Sequence, residues 1–171
     1  MTEVMQKLSS YNIFNYLFPG ILFCGLIDRF TQYKILQDNI LIDICVCYFI
    51  GLCISRIGSL VLEPLLRKAK ILNFASYKDY LVAVEIDKKL ESFVKTANMY
   101  RTILSMFIIF CMVKIYELIS IECQIPFTTT AILLLIGFIV LFLCSYIKQS
   151  GYITKRIIQI KENKEVKNDD S

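Results

Sequence analysis

The chain has 171 residues, 56% hydrophobic and 20% charged, with a formal net charge of +4 and a mean hydropathy of +0.58. It contains no histidine, which excludes His-based triads, HExxH metal sites and His-ligated haem. So small a positive charge gives little support to nucleic-acid binding, and the basic residues read better as topology signals.

The charges lie in blocks, and the stretches between them are long and apolar. A helix that crosses the hydrocarbon core needs roughly 20 largely apolar residues, because it rises ~1.5 Å per residue through ~30 Å. Four stretches meet or approach that need. The first runs from Tyr11 to Ile27; it carries Asn12 and Asn15 and holds Pro19 and Gly20. Only Lys7 precedes it as a positive side chain, and no small-x-small cleavage site follows, so it reads as an uncleaved span. The second runs from Ile40 to Leu60, with Asp43 near one end and Arg56 near the other. A long Arg side chain can snorkel from there to the interface.

The third stretch, Thr102 to Ile121, is oily through Val113 and then meets Lys114 and Glu117. Each of those charges costs up to ~2.5–3.5 kcal/mol at mid-membrane, so this span needs snorkelling or a polar partner. The fourth, Pro126 to Ile147, is interrupted by no charge, and proline suits the first turn of a helix.

Lys and Arg in the connections give the orientation. Eight lie between Glu63 and Arg101 and six follow Ile147, against only Arg29 and Lys34 between Asp28 and Asn39 and none from Glu122 to Ile125. Positive-inside bias then places both termini and the 63–101 segment in the cytoplasm. The expected architecture is all-α: a polytopic membrane protein of four transmembrane helices with a cytoplasmic helical hairpin between spans 2 and 3. Its parts are an N-terminal membrane pair (1–62), the amphipathic hairpin (63–101), a C-terminal membrane pair (102–147) and a basic, partly disordered tail (148–171). Ile- and Lys-rich usage without Trp hints at an AT-biased genome, and the expected location is a bacterial plasma membrane.

Within the hairpin, Arg67, Lys68 and Lys70 follow Glu63-Pro64 directly beneath the second span. They fix topology, and each can also attract anionic lipid by about 1 kcal/mol. Ser76 and Asp79 stand at the spacing of a capping box. After it, Tyr77, Tyr80, Leu81 and Val84 form one apolar face, and Leu90, Phe93, Val94 and Ala97 another.

Two constellations lie inside the spans. Asp43, Cys47, Gly51, Ser55, Ser59 and Glu63 repeat every four residues. The small members Cys47, Gly51, Ser55 and Ser59 mark a helix-packing face, within the bundle or between subunits. Thr130, Gly137 and Cys144 make a weaker row at seven-residue spacing. Asp43, Lys114 and Glu117 are intramembrane charges, hence candidates for a neutralising pair (Asp43 with Lys114, or Lys114 with Glu117) or for an ion path.

Six of the seven cysteines lie in apolar stretches, and Cys45-Val46-Cys47 is not a C-x-x-C. Neither metal nor cofactor is expected. With no phosphate loop and no G-x-S-x-G, a non-enzymatic role is expected. The helices assemble in the lipid bilayer, alone or as a homo-oligomer, while the hairpin and tail bind a cytoplasmic protein. The alternative is an oligomeric channel or membrane-permeabilising effector of toxin or antiviral-defence type, gated from the cytoplasmic side.

Overall fold

A computed structural model describes residues 12–37, 39–73 and 75–169. All its regular elements are helices: α1 (Ile13–Phe30), α2 (Ile40–Lys68), α3 (Tyr77–Ile86), α4 (Lys89–Glu122) and α5 (Phe127–Asp169). Four of them, α1, α2, α4 and the Ile160-bounded part of α5, are long and apolar enough to span a membrane. The chain is therefore an all-α protein with four candidate membrane helices. Successive spans run antiparallel, so one end of the bundle, the base, carries the connection from α2 to α4. The other end, the tip, carries the connections 31–39 and 123–126.

α1 and α2 each begin or end in a π-turn placed just before a proline. The π segments are Ile13–Leu17, ahead of Pro19, and Gly58–Leu62, ahead of Pro64. A proline inside a helix has no N–H to donate, and its ring collides with the carbonyl four residues back. A wider i→i+5 turn accommodates that carbonyl, and Phe18 and Glu63 duly bond to Ile13 and Gly58. Both helices stay continuous through their prolines.

α2 starts at Asn39, whose side chain accepts from the amides of Leu41 and Ile42, satisfying two of the unpaired N-terminal donors. α3 starts at the expected capping box: Ser76 Oγ accepts from the Asp79 amide at 3.1 Å and donates to the Asp79 carboxylate at 2.7 Å. α2 and α4 end alike. Lys70 (φ 57°) and Gln124 (φ 50°) take the left-handed conformation. The Ile71 and Ile125 amides reach back to the Leu66 and Ser120 carbonyls, each at 3.0 Å. This is the Schellman closure, here made without glycine.

The expected hairpin between spans 2 and 3 is not a separate unit. Its first arm is α3, but its second arm forms the opening turns of α4. No Gly or Pro stands between Lys89 and Glu122, so nothing stops the helix before it becomes the third span. At 34 residues, α4 is about 51 Å long and exceeds the hydrocarbon thickness. The tail differs in the same way. α5 runs unbroken to Asp169, because a lone Gly151 costs only about 1 kcal/mol and the Lys, Glu and Gln residues after it are good helix formers.

The core lies among α1, α2 and α4. Phe23, Ile27, Ile54 and Met106 are buried together, with Leu26, Ile50, Ile109, Phe110 and Val113 packed around them. α5 stands at the side of this trio. It touches α2 through Phe138 and Phe142 on Phe49, and no residue of its most apolar stretch is buried.

Candidate functional site

The four-residue row on α2 organises the bundle. Gly51 and, across from it, Gly20 of α1 are buried where two backbones nearly touch. A Cβ at Gly20 would collide with the Cys47 carbonyl, and one at Gly51 with the Tyr16 carbonyl. Only hydrogen at both positions lets the helices approach so closely, as small residues do in membrane bundles. One turn nearer the base, Ser55 meets both α1 and α4. The Thr102 hydroxyl lies 3.2 Å from Ser55 Oγ and 3.2 Å from Asn15 Oδ1, and it also reaches the Asn98 carbonyl at 2.9 Å. The Asn15 amide donates to Ser55 Oγ at 3.4 Å. Asn15, Ser55 and Thr102 are all buried, and together they meet one another's polar demands in a site where no water need enter.

Farther along, the row turns to α5 and back to α4. The Lys148 ammonium donates to the Ser59 carbonyl at 2.6 Å and to its hydroxyl at 2.8 Å. Arg101 donates to Glu63 at 2.6 Å. The winding of a four-residue row thus hands it successively from α1 to α4 and α5. Every member, from Cys47 to Glu63, meets a neighbour inside the same chain.

At the tip the structure does not bring Asp43 and Lys114 together. Asp43 accepts from the Gln37 amide at 2.8 Å and so holds the 31–39 connection. Lys114 instead donates to Glu117 at 2.6 Å, three residues along its own helix, and to the Phe30 carbonyl at 2.7 Å. Glu117, which is buried, accepts in addition from the Gln32 amide at 2.6 Å. Tyr33 and Ser120 share a hydroxyl contact of 3.3 Å. All three intramembrane charges fasten the end of α1 and the connection after it.

Between the base and tip clusters lies the apolar layer of Phe23, Ile27, Ile54 and Met106. The weaker row on α5 meets little. Thr130 shares a 2.6 Å contact with the Tyr116 hydroxyl, nothing lies within 4 Å of a Cβ at Gly137, and Cys144 is exposed. Arg67, Lys68 and Lys70 are exposed at the base end of α2.

Sequence reasoning missed several participants, among them Thr102, Asn15 and Lys148. Thr102 stands at the edge of the third span, Asn15 in the polar start of the first, and Lys148 among the basic residues that give orientation. Hydroxyl and amide groups in a largely apolar run were the available signal, because such groups in lipid must find partners. Among the described residues no cluster of metal-ligating side chains occurs. Compared with protein-family models, curated proteins and solved structures, the chain matches none.

Proposed function

We propose that this chain is a non-enzymatic, multi-pass membrane protein that receives a protein partner on its base, through α3 and the opening turns of α4. In a bacterial plasma membrane with positive-inside orientation, that surface and both termini face the cytoplasm. The observation that carries the reading is exposed apolar surface set among charged side chains. Val82 and Ile86 of α3 and Phe93 and Tyr100 of α4 are exposed, although Lys88, Lys89, Glu91 and Lys95 around them belong in water. Exposed apolar clusters rimmed by charge mark interaction sites. The exposed flank of α5, by contrast, needs only lipid, and a second copy of the chain could also occupy it.

A channel is the second reading, supported by the intramembrane charges. It is the weaker one, because Lys114 and Glu117 already satisfy each other and the connection beside them. The apolar layer also separates them from the base cluster, so a conducting path would have to lie between protomers.

The test is a photocrosslinking residue placed at Phe93 in cells, with Leu133 on α5 as the lipid-facing control. A discrete adduct with another protein at Phe93 and none at Leu133 is expected. Adducts to lipid alone at both positions would contradict the reading.

A further inference from the structure

We propose that the cleft between α2 and α5 at the base is a binding site for a phosphate oxyanion, supplied by the headgroup of an anionic membrane lipid. This goes beyond the partner surface on α3 and α4, and it concerns a different face.

The cleft is small, about 20 Å³, and its lining includes Arg56 and Ser59 from α2 and Ser145, Lys148, Gln149 and Tyr152 from α5. Its charges do not balance. Among the described residues that line it are two cations, Arg56 and Lys148, and no carboxylate. Arg56 lines the cleft, and among the described residues it has no hydrogen-bond or ion-pair partner. Lys148 holds Ser59 with two contacts, which leaves the third of its three protons.

Depth fits a headgroup. α5 carries no charge from Phe127 to Ile147, a rise of about 31 Å that matches the hydrocarbon core. Lys148 is the first residue past it, so the cleft opens at the phosphate level of the leaflet. Arg is suited to bidentate phosphate binding and Lys to point-charge attraction. Basic pockets between membrane helices take anionic headgroups for these reasons. The anion would also brace α5, whose other ties to the bundle are the Phe49 ring contacts and single contacts such as Tyr116 with Thr130.

The test uses the full-length chain in a neutral detergent, with thermal unfolding followed by circular dichroism. Dioleoyl phosphatidylglycerol is titrated into the micelles, with dioleoyl phosphatidylcholine and inorganic phosphate as separate arms. Phosphatidylglycerol should raise Tm saturably and phosphatidylcholine should not. Arg56→Gln should weaken the apparent affinity by about tenfold or more, the loss of a charge-assisted contact, and Lys148→Gln should act in the same direction. Lys68→Gln, an equal charge change on the exposed base, should weaken it by no more than about fivefold. Inorganic phosphate reproducing the whole shift would support the oxyanion site and assign it to a soluble phosphate. An equal loss in Lys68→Gln and Arg56→Gln, or an equal shift with phosphatidylcholine, would overturn the proposal.

Discussion

Single residues decide how closely the spans approach. Gly51 and Gly20 sit where a Cβ would enter a neighbour's backbone, whereas Gly137 faces open space. Gly51→Val should therefore destabilise the bundle by about 1–3 kcal/mol or more, because a carbonyl cannot rotate aside as a side chain can. Gly137→Ala should be neutral or stabilising by up to about 1 kcal/mol through helix propensity. Thermal unfolding of both variants in detergent checks the ordering, and the reverse order would refute the close α1–α2 crossing. The period of the row Cys47, Gly51, Ser55 and Ser59 was legible in the sequence, since small residues at four-residue spacing mark contact faces in lipid. Its partners were not legible. Which helix faces Ser55 or Ser59 depends on how three helices cross. The charges Asp43 and Lys114 found backbone groups of the 31–39 connection, and such partners leave no trace in side-chain patterning.

At the scale of elements, the four apolar runs located all four spans, because each exceeds the length that hydrocarbon demands. The Ser76 cap was legible for the same kind of reason: a hydroxyl and an acid at fixed spacing meet the same amide. The ends of α2 and α4 were harder to read. Both close through a left-handed residue that is not glycine, Lys70 and Gln124, so the usual C-terminal signal is missing. Each holds a conformation that costs an L-residue about 1 kcal/mol or more. Lys70→Gly and Gln124→Gly should each stabilise the protein by roughly 0.5–1 kcal/mol, offset in part by the greater freedom of glycine in the unfolded chain. A lowered Tm in both variants would show that these turns do not close as described. The second arm of the hairpin expected over 63–101 is continuous with the third span, which charge patterning had set apart at Arg101. The backbone has no reason to break there, and the helix runs on from Lys89.

As a whole, the molecule is layered along its long axis. A hydrogen-bonded base of Asn15, Ser55, Thr102, Glu63 and Arg101 is followed by the apolar layer around Met106, then by a tip in which Glu117 ties the 31–39 connection to α4. Such layering suits a chain whose middle lies in oil and whose two ends reach polar headgroups and water. The proposed partner surface rests on the exposed apolar side chains of α3 and early α4, at the base end. The most direct measurement is the sidedness of two single cysteines in sealed membrane vesicles, read with a membrane-impermeant maleimide. In a background free of the other cysteines, the native Cys123 reports the tip and Lys78→Cys reports the base; both residues are exposed. Labelling from opposite faces of the membrane is the expected result. Labelling of both from the same face would contradict a bundle that crosses the bilayer between them.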